Sequence, residues 1–210
     1  QLKCISKREK QKLKLLLQKV KNILISAKLK KPEIGIVIEQ DMLEKRAKIA
    51  FLSIGSNLGN KKKNIEIAKF KLKKNNIKII KVSKNYETLS WPNKKNPKFI
   101  NVVIKIKTFL SPNDLMEKCL NIEKELGRSR NKKNEPRTCD IDIIDYDKRI
   151  IKGIKSQNLS IPHPKMHKRN FVLLPLFEIA NTWIHPINKA SIKDLISSLD
   201  VKDLRTIKFI

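Results

Sequence analysis

Arg128-Ser-Arg-Asn-Lys-Lys-Asn-Glu-Pro-Arg-Thr-Cys-Asp-Ile-Asp-Ile-Ile-Asp-Tyr-Asp147 is a cation-rich loop that runs directly into a strand. From Asp140 the residues alternate, so Asp140 and Asp142 share one face of an extended chain and Ile141 and Ile143 the other. The isoleucines mark a core. The carboxylates mark either a solvated surface or a site, because paired carboxylates repel unless a cation lies between them. Hard oxygen donors suit Mg²⁺, which takes one or two carboxylates and leaves its other positions to water and phosphate. Arg128, Arg130 and Arg137 supply planar fixed charge suited to phosphate oxygens. Such a set points to phosphoryl-type transfer from a nucleotide. Taken locally, a solvated acidic strand beside a basic surface loop fits the pattern equally well.

Outward from this stretch, the pattern is that of an α+β domain. On its N-terminal side Ser111 caps a helix with Pro112 at its first position; Leu115, Cys119, Ile122 and Leu126 follow at helical spacing, and Gly127 ends it. Before that helix, Phe99 to Thr108 alternates as a strand, preceded by a polar loop from Leu89 to Lys98. Ile77 to Ser83 reads as a strand running on to Thr88. Further upstream, Ile49 to Ile54 is an apolar strand, and Gly55-Ser-Asn-Leu-Gly-Asn60 a tight turn with Asn60 as N-cap. Ile65, Ala68, Phe70 and Leu72 then line a helix through about Lys73. Downstream, Arg169 to Ala180 and Ser191 to Leu199 read as helices. Strand, helix, strand, strand, helix, strand, then helices is the order of a ferredoxin-like α/β sandwich with a central, mostly antiparallel sheet and extra C-terminal helices.

The bulk numbers bound the function. A chain of 210 residues with 40% hydrophobic content suits one domain of ordinary size with a remainder. The remainder is residues 1–47, a basic extension with helical spacing at Leu13, Leu16, Leu17 and Val20 and two short apolar runs. The domain is expected over 48–210. No apolar run is long enough to span a membrane, and the first residues lack a signal-peptide pattern. Cys4, Cys119 and Cys139 are an odd, dispersed set with no Cys-x-x-Cys pair. This argues against a disulfide framework or structural zinc, and a cytoplasmic setting follows. The net charge of +28 invites a nucleic-acid reading, but the lysines are spread over nearly every segment and aromatics make up only 5%.

Four blocks, in order, resemble 6-hydroxymethyl-7,8-dihydropterin pyrophosphokinase over about 48–186. They are Ala50-Phe-Leu-Ser-Ile-Gly-Ser-Asn-Leu-Gly59; Val82-Ser-Lys-Asn-Tyr-Glu-Thr88 with Asn96-Pro-Lys-Phe-Ile-Asn101; Glu123-Lys-Glu-Leu-Gly-Arg-Ser-Arg130 through Pro136-Arg-Thr-Cys-Asp-Ile-Asp142; and Ile161-Pro-His-Pro-Lys-Met-His-Lys-Arg-Asn-Phe-Val-Leu-Leu-Pro-Leu176. The resemblance implies transfer of pyrophosphate from ATP to the pterin hydroxymethyl oxygen with release of AMP, in folate biosynthesis. It implies two Mg²⁺ ions on Asp140 and Asp142, with Arg128 and Arg137 as the catalytic cations. Glu123, Arg130, His163 and Arg169 match nucleotide positions. Phe99 and Phe171 match the aromatic walls of the pterin, Asn101 its hydrogen-bonding amide, and Thr88 and Trp91 backbone contacts. The chain departs from the family at Asn134-Glu135, where a bulky pair is common and the loop is one residue shorter, at Leu120, where a polar residue is common, and at Pro164, where an aromatic is common.

Two rivals stand beside this reading. A P-loop kinase fails on spacing, since Gly55 to Lys61 is not Gly-x4-Gly-Lys-Ser/Thr. A ferredoxin-like RNA- or other nucleic-acid-binding module shares the topology, but its sheet carries aromatics where this one carries Asp140 and Asp142. The expected partners are therefore ATP and the pterin, with no membrane and no specific nucleic acid, in a monomer. Residues 1–47 weakly resemble the end of dihydroneopterin aldolase, so a fusion to, or association with, another folate-pathway enzyme is the corresponding expectation.

Overall fold

The computed structural model describes residues 46–90, 93–128, 135–153 and 159–210. The chain divides between Arg46 and Ala47, and Ala47–Ile210 carries everything below. The helix and strands read for the N-terminal extension lie outside the described residues, as do Trp91 and Arg130.

The elements are β1 (Lys48–Ser56), α1 (Lys61–Lys74), β2 (Lys78–Val82), β3 (Tyr86–Thr88), β4 (Phe99–Thr108), α2 (Pro112–Glu125), β5 (Asp140–Tyr146), α3 (Asn170–Ile179), α4 (Ile192–Ser197), α5 (Val201–Leu204) and β6 (Lys208–Phe209), with a 3-10 turn at Met166–Lys168. Both N-caps read from the sequence are made: Asn60 accepts from the amide of Lys63 and Ser111 from that of Asp114. The sheet runs β5-β1-β4-β3-β6, with β2 also on β4, and every pairing is antiparallel. This is the ferredoxin-like order expected.

Both faces of the sheet are covered, which is why β1 and β4 bury nearly every residue. On the first face Leu52, Ile54, Val102, Ile104, Ile141 and Ile143 pack with Ile65, Ala68 and Leu72 of α1 and Leu115, Cys119 and Ile122 of α2. Each fully buried Leu or Ile there contributes roughly 1.5–3 kcal/mol. On the second face Phe51, Val103 and Ile144 pack with Val172, Leu173 and Leu176 of α3 and with Trp183, Ile192 and Leu195. Cys119 and Cys139 are free and buried, and burial pushes the Cys139 thiol up to about 12. They act as small apolar groups in this core.

Three readings of the chain are corrected. The strand expected from Ile77 to Thr88 is two strands. Ser83 interrupts it: its amide donates to the Val103 carbonyl and its hydroxyl accepts from the Val103 amide, so one residue takes both backbone groups of β4. Phe70 lies outside the buried stripe of α1 and is 56% exposed, with the Lys74 ammonium 5.0 Å from its ring centroid. Simple alternation also fails in β5. Phe51 pairs with Asp145 and Leu52 with Ile143, so Ile144 is an extra, bulged residue. Asp145 then faces the same side as Ile144 and accepts from Trp183 Nε1 at 2.8 Å.

His185 gives this packing a pH dependence. Its Nδ1 accepts from the amides of Ile187 and Asn188, and burial, then His167, lower its pKa below the ordinary value. The unfolded chain therefore binds the proton more readily. The contribution of His185 to stability is present above the unfolded histidine range, about pH 6.5, and is lost as pH falls. The urea midpoint is expected to drop between neutral and mildly acidic pH, and by less in His185→Asn. Equal drops in the two proteins would remove His185 as the cause.

Candidate active site

The second face of the sheet changes character along its length. Phe51, Val103 and Ile144 are its apolar floor. The next rows toward one end are Asp142–Ser53–Val103 and then Asp140–Gly55–Asn101–Tyr86, side by side across β5, β1, β4 and β3. The register thus delivers two carboxylates, a glycine and an amide to one patch.

Asp140 is the electrostatic centre. Its Oδ1 accepts from Arg128 Nη1 at 2.6 Å and its Oδ2 from Arg137 Nη2 at 2.5 Å. Burial works against its ionisation, but Arg137 and Arg128 outweigh it and hold the carboxyl below the usual carboxylate range. Arg128 is shared with Glu123, whose Oε1 lies 2.5 Å from Nη1 and also accepts from the Ile141 amide at 2.7 Å. Glu123 is buried, so it ties the end of α2 to the start of β5 and sets the direction of Arg128. Asp142 is more open. Its Oδ2 accepts from Arg169 Nη1 at 2.9 Å, with His163 Nε2 at 3.9 Å. His163 Nδ1 accepts from the Lys165 amide, which leaves the proton of the neutral ring on Nε2, toward Asp142. Burial lowers the His163 pKa despite that carboxylate.

Two cavities meet at these carboxylates. One, of about 110 Å³, is walled by Thr88, Phe99, Asn101 and Phe171 together with Arg137, Asp140, Asp142 and Arg169. The other, of about 440 Å³, is walled by Met116, Leu120, Glu123, Arg128 and Leu159 with the same Asp140 and Asp142. In the first, Asn101 donates from Nδ2 to Thr88 Oγ1 at 2.9 Å, which fixes its carbonyl oxygen toward Gly55. The Arg137 guanidinium sits 5.1 Å from the Phe99 ring centroid and that of Arg169 5.5 Å from Phe171. The two aromatic residues therefore stand on opposite segments around one small space.

Several contributors lay beyond the sequence reading. A Cβ on Gly55 would meet Asn101 Oδ1 at 2.9 Å and Phe99 Cδ1 at 3.4 Å, so that position keeps the space between amide and carboxylate open. Asn57, also buried, is a clamp. Its Oδ1 accepts from the Arg137 amide at 2.7 Å, its amide donates to the Arg137 carbonyl at 3.0 Å, and its Nδ2 donates to the Pro97 carbonyl at 3.1 Å. One side chain thereby fixes the ends of both loops flanking the site. Ser53 and Lys165 also line the smaller cavity. In the sequence, only the tight turn at Gly55-Ser-Asn-Leu-Gly59 hinted at this.

Residues 51–181 match the family model of 7,8-dihydro-6-hydroxymethylpterin-pyrophosphokinase. The chain belongs to that family. It is 38% identical over 144 residues to 2-amino-4-hydroxy-6-hydroxymethyldihydropteridine pyrophosphokinase of Aquifex aeolicus, covering 69% of this chain and 88% of that one. It is also 38% identical over 157 residues to the folic acid synthesis protein fol1 of Pneumocystis carinii, covering 75% of this chain but only 21% of fol1. The chain thus spans about a fifth of the length of that relative. Among solved structures it is similar to Plasmodium falciparum HPPK-DHPS with pterin and p-hydroxybenzoate, at a TM-score of 0.61 and 17% identity over 79% of this chain and 48% of that one. At that identity the likeness shows the fold. No helix among the described residues is long and apolar enough to cross a membrane.

Asp140 and Asp142 also fit divalent ions. They are hard oxygen donors on one strand face and border open space, and among the described residues no group of three or more His, Cys, Asp or Glu is placed to close a metal site. Such a site suits a cation that keeps positions for water and phosphate.

Gly55→Ala is expected to cost about 1–3 kcal/mol of stability by overpacking, read from urea unfolding, and to disturb the side-chain amide signal of Asn101 in NMR spectra. An unchanged Asn101 signal would mean that the added methyl is absorbed elsewhere.

Proposed function

We propose that this domain transfers pyrophosphate from ATP to 6-hydroxymethyl-7,8-dihydropterin, yielding AMP and the pterin diphosphate, in folate biosynthesis. The observation that carries this reading is that two cavities of different character share the Asp140–Asp142 wall. A reaction joining a flat heterocycle to a nucleotide needs such an arrangement, with the reacting atoms held in line between two binding spaces.

Phe99 and Phe171 take the two faces of the pterin ring, and Asn101, as both donor and acceptor, reads its edge. Thr88 orients Asn101 and, with Trp91, offers backbone groups to the ring. ATP occupies the larger cavity, with Glu123 behind Arg128 and with His163 and Arg169 toward its phosphates; the family resemblance adds Arg130 as a nucleotide contact. Leu120 presents an apolar surface there, half open to solvent. Asp140 and Asp142 would hold two Mg²⁺ ions, which would neutralise triphosphate charge at the reacting centre. The hydroxymethyl oxygen gives up its proton to solvent and forms its bond to the β-phosphorus as the bond to the α–β bridging oxygen breaks, and that oxygen leaves with AMP. Arg128 and Arg137 stand beside the reacting centre. As ATP enters, their guanidinium groups can pass from Asp140 to the transferring phosphates, where charge builds in the transition state. Asn57 keeps Arg137 in place for that exchange.

The sheet offers little to the nucleic-acid alternative, because its first face and most of its second are covered by helices and apolar packing, and the open end carries Asp140 and Asp142. The buried thiols Cys119 and Cys139 accord with a reducing, cytoplasmic setting. The small matched share of fol1 and the HPPK-DHPS relatives support linkage of this domain to another folate-pathway enzyme.

Incubation with ATP and Mg²⁺ is expected to release AMP only when the hydroxymethylpterin is present. ADP as the product, or AMP release independent of the pterin, would overturn the assignment. Arg137→Ala is expected to lower kcat by about 100-fold or more while changing ATP affinity far less. Comparable losses in both would make Arg137 a ground-state contact. Phe171→Ala is expected to weaken pterin binding and spare ATP binding, both measured by calorimetry; an unchanged pterin affinity would return that ring to the core.

A further inference from the structure

The outer edge of β2 is open. Among the described residues β2 pairs with β4 alone, whereas β3, which follows it along β4, is covered in turn by β6. A free strand edge is a template for another strand. One residue of β2 is extra: Ile79 pairs with Ile106 and Lys81 with Lys105, so Ile80 is bulged. The bulge brings Lys78 and Lys81, three apart, onto one face, where Lys78 stands opposite Lys107 and Lys81 opposite Lys105. This is the second face of the sheet, because Lys105 pairs with Phe51 and holds its ammonium 5.9 Å from that ring centroid. On the first face Ile79 and Val82 join Glu66, Lys69, Phe70 and Lys73 of α1 around a cavity of about 180 Å³.

The two faces ask for different chemistry. Like charges directly opposite one another weaken a sheet. Here two such pairs lie side by side, and among the described residues no carboxylate is paired with any of the four lysines. Acidic groups laid among them would replace repulsion by attraction. The first face is more apolar: Phe70 and Val82 are exposed there, and Lys69 is already engaged with Glu66 at 2.6 Å. Successive residues of a strand point to opposite sides, so a segment of alternating acidic and apolar residues meets both faces at once. A second copy of this chain fits poorly, since two β2 edges side by side would set lysine against lysine; lysines and bulges are devices that keep edges from pairing with themselves. Nucleic acid would find charge but no stacking platform, because Phe51, the aromatic residue in these rows, is buried.

We infer that the free edge of β2 binds an extended acidic segment of another protein, which joins the sheet as a further strand, its carboxylates over Lys78, Lys81, Lys105 and Lys107 and its apolar side chains over Phe70 and Val82. Backbone pairing supplies affinity, and the two faces supply selectivity. None of these residues lines the cavities at Asp140 and Asp142, and the inference does not depend on the pyrophosphokinase reading.

The test is fluorescence anisotropy of a labelled peptide of alternating Glu and Val titrated with the full chain, with the alternating Gln and Val peptide as the uncharged control. Saturable one-to-one binding is expected, weakened at least about tenfold in K78E/K81E and unchanged in K193E, which alters a lysine outside β2, β4 and α1. The Gln peptide lacks the charge, and a fully N-methylated Glu peptide lacks the backbone donors; both should bind more weakly. In NMR spectra the Glu peptide should shift the amides of Ile80 and Val82 and spare Gly55. Equal binding of the Glu and Gln peptides, undiminished binding of the N-methylated peptide, equal losses in K78E/K81E and K193E, or equal affinity for a single-stranded RNA oligomer would each overturn the proposal. So would self-association of the chain that K78E/K81E abolishes, since the occupant would then be a second copy. K78E/K81E turns two like pairs into opposite ones and is expected to stay folded, which circular dichroism reports. Should it not fold, Lys81→Gln carries the comparison, with a loss of about threefold expected.

Discussion

The Asp140 carboxylate, gripped on both oxygens by Arg128 and Arg137, is the interaction around which the site is built. A partly buried carboxylate is costly unless its charge is matched, and two guanidinium groups match it. Everything nearby secures that match. Glu123 directs Arg128 from the end of α2, and Asn57 anchors the backbone of Arg137 from the end of β1. Elements far apart in sequence therefore converge on a single charge. In the proposed function these pairs also hold the two guanidinium groups ready for phosphate before any nucleotide arrives.

The sheet supplies the geometry. Antiparallel pairing puts Asp140, Gly55 and Asn101 in one row, with no side chain on the middle residue. The missing Cβ leaves the route between carboxylate and amide open. Covering the first face with α1 and α2 and most of the second with α3 and α4 leaves this one end of the second face to form cavities. Fold and chemistry are thus divided by position along the strands, with apolar residues at one end and polar residues at the other.

Much of this could be read from the chain. The two-residue spacing of Asp140 and Asp142 required a shared face, and the caps at Asn60 and Ser111 located both long helices. Other parts depend on register, which no local pattern reveals. Gly55 and Asn57 looked like turn residues because their partners, Asn101, Arg137 and Pro97, are distant in sequence. The break at Ser83 and the bulge at Ile144 arise from pairing with β4 and β1 and leave no composition signal. Phe70 fitted the helical period only approximately, and a lysine one turn on gave its ring an exposed resting place. Trp91 and Arg130 rest on the resemblance alone.

The arginine grip on Asp140 leads to one direct consequence. A divalent ion reaching Asp140 without a nucleotide must displace Arg137 and leave Arg128 with Glu123 alone, whereas an ion arriving with a triphosphate brings both guanidinium groups new partners. Electron paramagnetic resonance of Mn²⁺ titrated into the protein, with and without a non-hydrolysable ATP analogue, measures this directly. Weak binding alone and tight binding with the analogue is the expected result. Tight Mn²⁺ binding to the nucleotide-free protein would contradict it.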